Sequence, residues 1–449
     1  MRQTGEPIFG VANDMADNPL RRALETISLI DVTDLDVGSG AGLAVLAALA
    51  ARHGAPMAQA AKLPSRLFVL QAPWAPGLRV VGGQADPGRG LAGGVPQPPF
   101  SLAGSAEALE DALAACIGEA VERLSQIERP GDIFIECALD DVEPPVIPAL
   151  AGGIAALLAK SQRPRGAAIA WVRGRSLSDG SAVSVPADWC LRRVGAPHLA
   201  LPGAAMSTGC AAGPSFEAAA SRALLELIER DAASLWWIGG QRPRPLAVDG
   251  QAMREGVRLL GSLRQNSGRR ASWLLDITSD LQVPCVAAVS VDADGRGFAC
   301  GLAARLTLEA AVRAAILEMC QMELAFPISL SKKMANGEAA LNDTDRRHLA
   351  RATAIDAGSC ELLHPLGAPR RLPPPASSDD LVHLRGIFEH QGIAAILVDL
   401  RRPEFQIAVV QALAPALQLM PSDLSSERLQ RVIAATGGGA RFTKGIPLH

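Results

Sequence analysis

The stretch from Ser207 to Trp237, STGCAAGPSFEAAASRALLELIERDAASLWW, decides how the rest of the chain is read. It opens with small residues, which let backbones approach closely, and Ser215 stands where a helix N-cap belongs. A glycine-rich turn entering a helix also offers backbone N–H groups to an anion. The Ala- and Leu-rich run that follows predicts a helix over Phe216 to Trp237. On it Glu226 and Glu229 are three residues apart, so a turn of about 100° per residue sets them side by side on one face. Arg230 follows directly.

The same pattern occurs earlier. Ala112 to Arg123, ALAACIGEAVER, sits in a predicted helix over Glu107 to Gln126 and presents Glu119, Glu122 and Arg123. A third predicted helix, Thr307 to Leu324, carries Glu318 and Gln321, again three residues apart. Adjacent carboxylates repel, so on a partly buried surface they need a proton, an arginine or a cation. Mg2+ suits them because it prefers oxygen ligands and bridges carboxylates to phosphates. The following arginine can hold a phosphate or brace a carboxylate. Taken singly, Glu-x-x-Glu-Arg is also what a solvated helix face carries.

Composition sets the frame. The chain has 449 residues, 49% hydrophobic and 20% charged, which excludes a peptide hormone, a small binding module and a largely disordered chain. A formal charge of −3 without a basic block argues against a nucleic-acid partner. The longest apolar run, Gly42 to Ala51, is too short to span a bilayer, and the opening MRQTGEPIFG lacks a signal peptide's apolar segment, so no membrane partner and a cytoplasmic location are expected. Eight scattered cysteines without Cys-x-x-Cys read as reduced and structural. No histidine is accompanied by a hydrolase elbow around a serine. Asp276 and the pair Trp236 and Trp237 read as turn-forming and packing residues.

The remaining pattern alternates. Strands are expected at ISLIDVTDL, RLFVLQA, LRVVGG, DIFIECAL, GAAIAWVRGRS, SWLLDITSD, VPCVAAVSVDA, IAAILVDL and FQIAVVQAL, with helices around 42–52 and Pro148 to Lys160. Gly and Pro crowd residues 83–100, and QRPRP at 241–245 and RLPPPASSDD at 371–380 read as loops. The expectation is an α/β (α+β) protein with an N-terminal α/β subdomain over 1–98, a core with three acidic helices over 99–370 and a C-terminal α/β segment over 371–449.

The Ser207–Trp237 stretch closely resembles the central signature of the YcaO family. AGSAEALEDALAACIGEAVERLS resembles that family's first acidic helix, and GLAARLTLEAAVRAAILEMCQ its third, in the same order. The resemblance covers about residues 100–325. It implies ATP held among these helices, with Mg2+ bridging its phosphates to Glu119, Glu122, Glu226, Glu229 and Glu318. Arg123, Arg230 and Gln321 would lie in or beside the nucleotide site. It further implies ATP-dependent activation of backbone amides in a ribosomal precursor peptide, foremost cyclodehydration of Cys, Ser or Thr to azoline. Thioamidation with a TfuA-type partner and a catalytically degenerate peptide-binding scaffold are the alternatives. A leader-binding partner protein and a homodimer belong to the same expectation. The chain departs from the family pattern at Gly104-Ser105-Ala106, where Gly-Lys-Gly is usual, and at Ala115, Ala218 and Ala314, with Glu217 and Arg313 one place away from the last two. Its last residues, Phe442 to His449, hold a single proline where many ring-forming members are proline-rich.

Overall fold

The computed structural model describes residues 30–87, 98–193, 207–265, 267–373, 379–419 and 425–448. The chain begins with a four-stranded antiparallel sheet of β1 (Val32–Asp34), β2 (Pro64–Gln71), β3 (Arg79–Ala85) and β4 (Phe100–Ala106), in that spatial order. Helices α1 (Gly40–His53) and α2 (Ala55–Ala60) connect β1 to β2, and α3 (Leu109–Ser125) follows β4 and lies on it. That approach is close: a Cβ on Gly104 would sit 2.3 Å from Ala112 O and from Cys116 N, so the strand must carry glycine there.

Next come β5 (Ile135–Cys137), α4 (Pro148–Lys160), β6 (Ile169–Ser176), β7 (Ala182–Pro186), β8 (Cys210–Gly213) and α5 (Phe216–Trp237). A second unit follows: α6 (Gln251–Arg264), β9 (Arg270–Asp276), β10 (Cys285–Asp292), β11 (Ala299–Ala304) and α7 (Leu308–Met322). Helices α8 (Ala325–Asn336), α9 (Asp343–Ala354) and α10 (Asp380–His390) lead to β12 (Ile396–Asp399) and β13 (Ala408–Leu413), and α11 (Glu427–Thr436) and α12 (Ala440–Thr443) end the described chain. Strands β12 and β13 insert between β6 and β8, giving the order β5-β6-β12-β13-β8 with β7 also on β6. Strands β11, β10 and β9 form a separate three-stranded sheet.

Period-two alternation explains the layering. Ile396, Val398 and Val409 join the core around α3, while Leu397, Ala408, Val410 and Ala412 join the core around α5. In β10, Cys285, Ala287 and Val289 face α5's core, and Val286 and Ala288 that of α6 and α7. Helix α5 therefore lies between two sheets and is apolar on most sides, as a helix covered all round must be. Trp236 and Trp237 at its end are both 1% exposed and donate to Leu362 O at 2.8 Å and Ile446 O at 2.7 Å, the packing role expected of them. Asp276 ends β9 and accepts from Thr278 N at 2.9 Å, a turn-forming contact.

The mixed helix-and-sheet architecture is the one expected, with antiparallel ladders between all named strands. DIFIECAL contributes only Ile135–Cys137, and ISLIDVTDL only Val32–Asp34, its first residues lying outside the described ones. Within QRPRP, Arg244 forms a bridge with Asp276 rather than a free loop. Four strands had no counterpart in the sequence reading: β4, β7, β8 and β11. All eight cysteines are unpaired, seven of them buried. Among the described residues no helix is long and apolar enough to cross a membrane.

Candidate functional site

Three of the four unforeseen strands, β4, β8 and β11, are the ones that precede the acidic helices. Each pair forms a strand–turn–helix unit: β4 with α3, β8 with α5, β11 with α7. Their helices share one register. From the N-cap positions Ala108, Ser215 and Thr307, the first glutamate falls at Glu119, Glu226 and Glu318, and three residues later come Glu122, Glu229 and Gln321. Ser215 Oγ accepts from Ala218 N at 3.2 Å and Thr307 Oγ1 from Ala310 N at 3.3 Å; Ala108 has no side chain to do so.

Backbone amides aim the carboxylates. The first glutamate of each helix accepts from its own unit: Glu119 from Ala103 N at 2.9 Å, Glu226 from Gly209 N at 3.0 Å, Glu318 from Leu302 N at 3.0 Å. The second crosses to the next unit: Glu122 accepts from Ala212 N at 2.7 Å and Glu229 from Ala304 N at 3.1 Å. Helix α7 in turn packs against β4. A side chain one helical turn further along is thus what stitches one unit to the next. The Gly209 and Ala212 amides are used on carboxylates, so these two N–H groups of the turn serve the glutamates rather than an external anion. Met206, at the start of that turn, lies outside the described residues.

Arginines frame the row. Arg230 Nη2 is 3.6 Å from Glu226 Oε1 and 3.8 Å from Glu229 Oε1. Arg123 donates to Ser101 O at 2.9 Å and to Glu119 at 3.4 Å, with its guanidinium 4.3 Å from the Phe100 ring centre. Two arginines that the sequence reading did not single out belong here. Arg222 donates to Ala212 O at 2.9 Å and Arg305 to Ala304 O at 2.7 Å, holding the carbonyls of the same residues whose amides hold Glu122 and Glu229. The spacing of Arg222, one turn before Glu226, was the available signal. Arg313 instead pairs with Glu107, and Glu217 is exposed in the first turn of α5. Arg305, not Arg313, stands near Glu229 and Glu318.

The electrostatics follow from burial. Desolvation pushes Glu122 up to about 8, helped by the charges of Glu226 and Glu119 and resisted by the Ala212 amide and Arg222. Burial likewise raises Glu226 to about 7 against Arg230, and Glu318 to about 7, where the charge of Glu229 adds to it. Glu119 and Glu229 are also raised, first by burial. Arg230 is raised as well: burial disfavours its charge, but Glu229, Glu226 and Glu318 more than offset that. The mutual influence runs Glu119, Glu122, Glu226, Glu229, Glu318, which makes one continuous row across three helices. Glu119 and Glu226 keep 37% and 27% of their side chains accessible, so the row opens to solvent.

All eight residues singled out in the sequence therefore lie on these three helices, and the five carboxylates come together; Gln321 holds the position in α7 that Glu122 and Glu229 hold in theirs. Among the described residues no three His, Cys, Asp or Glu side chains could hold a metal ion by themselves. The donor set fits Mg2+ in another way, since that ion is ordinarily held by one or two carboxylates together with phosphate oxygens and water. Raised carboxyls with one oxygen already oriented by an amide are a site short of positive charge.

The fold and site define an α+β protein in which three strand–helix units converge on a carboxylate row. A family model described as YcaO cyclodehydratase, ATP- and Mg2+-binding, matches residues 103–418, and the chain belongs to the YcaO family. Its structure is similar to a heterocyclase in complex with substrate and cofactor, with TM-score 0.65 and 21% identity over 84% of this chain and 52% of that one. It is also similar to YcaO from Methanopyrus kandleri bound with AMPPCP and Mg2+, with TM-score 0.54 and 20% identity over 81% and 91% of the two chains. The E. coli microcin synthetase McbBCD complex with pro-MccB17 bound gives TM-score 0.58 and 17% identity over 79% and 88%. The chain spans about half the length of the heterocyclase chains it matches. A search of curated proteins gives no match.

Proposed function

We propose that this chain uses ATP to activate backbone amides of a ribosomal precursor peptide, foremost by cyclodehydration of Cys, Ser or Thr to azoline. The observation that carries the reading is the carboxylate row, built from three helices within the span that the family model matches. In it, Glu119, Glu122, Glu226, Glu229 and Glu318 are the metal ligands, and Arg123, Arg230 and Gln321 complete the nucleotide site. Mg2+ held by these carboxylates would supply positive charge for a triphosphate.

The chain's own residues do the positioning. Backbone amides fix one oxygen of each glutamate, and the second oxygen of Glu119 lies against Arg123 and those of Glu226 and Glu229 against Arg230. Arg230, held between Glu226 and Glu229, keeps its charge at any ordinary pH and stands ready for a phosphate oxygen. In the reaction, the Cys, Ser or Thr side chain adds to the preceding carbonyl carbon. The nucleophile's proton goes to solvent, the resulting oxygen takes the γ-phosphoryl group of ATP with ADP leaving, and phosphate departs as the amide nitrogen loses its proton and the ring's C=N bond forms. Such transfer depends on placement and charge stabilisation more than on covalent help from the protein.

A second reading, a non-catalytic peptide-binding scaffold, is favoured by Ala314 and by Arg313 turning to Glu107; Arg305 beside Glu229 and Glu318 argues the other way. Incubation of the purified chain with a candidate precursor peptide and Mg·ATP separates these. Peptide-dependent ATP consumption with loss of one water per ring supports cyclodehydration. Exchange of oxygen for sulfur in the presence of a TfuA-type protein supports thioamidation. An unchanged peptide and absent Mg·ATP binding support the scaffold.

A further inference from the structure

A second concave region lies at the N-terminal end of α5. Arg173, Gly174, Arg175, Gly180, Ala182, Phe216, Leu397, Asp399 and Arg401 line a cavity of about 750 Å3, within the range of a ligand site. Strand pairing explains its make-up. Arg175 lies directly opposite Ala182 in β7 and Leu397 in β12, so these side chains share one face of the six-stranded sheet, with Arg173 and Asp399 one alternation further on. Helices α5 and α10 cover that face over Leu397, Ala408 and Val410, but Arg173 and Arg175 remain exposed. The pairing of β6 with β12 covers only Ser176 and Arg175, so Arg173 and Asp399, which both line the cavity, are not paired across the two strands.

Its charge is one-sided. Asp399 accepts from Arg401 at 3.2 Å, and Asp179 on the adjoining hairpin is engaged by Ser181 N at 3.0 Å and Ser181 Oγ at 2.8 Å. The Arg173 guanidinium lies 4.7 Å from the Phe134 ring centre, and Arg175 makes no hydrogen bond or ion pair with another described residue. Side chains at alternate positions of one strand leave the backbone about 7 Å apart, the spacing of alternate side chains in an extended peptide laid alongside. Phe216, Leu397 and Ala182 supply an apolar floor between them.

We propose that this cavity binds an extended acidic segment of the peptide substrate, with carboxylates at alternate positions facing Arg173 and Arg175. The assignment to the substrate rests on the peptide-modifying function proposed above. Phe216 is ten residues before Glu226 on α5, about 15 Å along the helix. That distance is spanned by about five residues of extended chain, so the recognised segment lies at least that far from the amide that reacts. Arginine suits the role because its planar fork matches a carboxylate.

Fluorescence anisotropy of the whole protein with a labelled Gly-Glu-Leu-Glu-Leu-Glu-Gly peptide tests this without nucleotide. The expected result is affinity about tenfold above that for the Gln-substituted peptide and for one with its glutamates contiguous, and about tenfold loss in Arg173→Glu/Arg175→Glu. Equal binding of the three peptides by the unaltered protein, an unaffected double variant, or displacement by inorganic phosphate as effective as by unlabelled peptide overturns the proposal. Mg·ATP binding is followed in parallel by calorimetry. If it is lost while peptide selectivity persists, the function above falls and the groove stands; the reverse outcome removes only the groove.

Discussion

Glu318 and Glu323 are five residues apart on and just beyond α7, yet they live in opposite electrostatic worlds. Glu323 is 3% exposed and receives Arg264 Nη1 and Nη2, each at 2.6 Å, with Arg270 Nε at 3.3 Å. Arg264 also donates to Trp74 O and Ser272 Oγ, and Arg270 to Asp292 at 2.6 Å and Ser290 Oγ at 2.7 Å. Burial acts to raise the Glu323 carboxyl, but these two arginines reverse it, and the net shift is downward. Glu318 is raised to about 7 by burial and by the charge of Glu229. One cluster is complete in charge and in hydrogen bonds. The other has five carboxylates, and three of its arginines, Arg123, Arg222 and Arg305, spend a donor on a backbone carbonyl. A shortage of counter-charge, not burial or ionic character, is what marks a site waiting for a cation.

The sharpest way to break this contrast is to remove one carboxylate from each cluster. Glu323→Gln leaves the buried Arg264 guanidinium without a carboxylate, while Arg270 keeps Asp292, and is expected to cost about 3–5 kcal/mol in urea unfolding. A loss below about 1 kcal/mol would show that the network does not carry the stability assigned to it. Glu226→Gln should do the reverse. Relieving like-charge crowding leaves the melting temperature unchanged or raised, while Mg·ATP affinity by calorimetry falls about 100-fold or more, about 2.7 kcal/mol. If the Gln variant binds Mg·ATP like the parent, Glu226 is no ligand.

The two clusters were also unequally legible in sequence. Glu119, Glu122, Glu226 and Glu229 announce themselves because they repeat with a following arginine, and Ser215 marks where their second helix starts. The strands that hold them were invisible. FSLAGSA, CAAG and ACGLAA carry few of the β-branched and aromatic residues that signal a strand, because a helix packs directly on each and only small side chains fit. A Cβ on Gly301 would lie 2.2 Å from Ala315 O and Met319 N, the same crowding as at Gly104. The residues that make these segments poor strands by propensity are the ones the tertiary fold requires. Arg264, Arg270 and Glu323 come from α6, β9 and the end of α7, with no repeat or motif to link them before folding.

Titration offers a smaller and independent test. Glu122 at about 8 and Glu226 and Glu318 at about 7 lie above the ordinary carboxyl value of 4.5 that they regain on unfolding. Between about pH 5 and pH 8 the folded chain keeps protons that the unfolded chain has released, so the contribution of these groups to stability falls as pH rises through that window. Thermal melts of the ligand-free protein should show this decline, and Glu122→Gln should make it shallower. Mg·ATP binding should release protons in the same range, seen as a dependence of calorimetric heat on buffer ionisation enthalpy. A slope identical in the parent and the Gln variant would mean Glu122 titrates like an exposed carboxylate.

The smallest effect concerns the one place where the three units differ at their helix starts. Ser215 and Thr307 each cap their helix by accepting from the amide three residues on, whereas Ala108 is extended, with φ −103° and ψ 144°, and offers nothing. Its backbone already has the geometry of a cap, so Ala108→Ser needs no rearrangement to bring its oxygen to the Asp111 amide. The substitution is expected to stabilise the first helix by about 0.5–1 kcal/mol, read as slower hydrogen exchange at Asp111 with exchange at Ala218 and Ala310 unchanged. Because the cap is eleven residues from Glu119, Mg·ATP affinity should not move. Unchanged exchange at Asp111 would mean that the first unit starts differently from the other two, and that the shared register of the acidic helices does not extend to their caps.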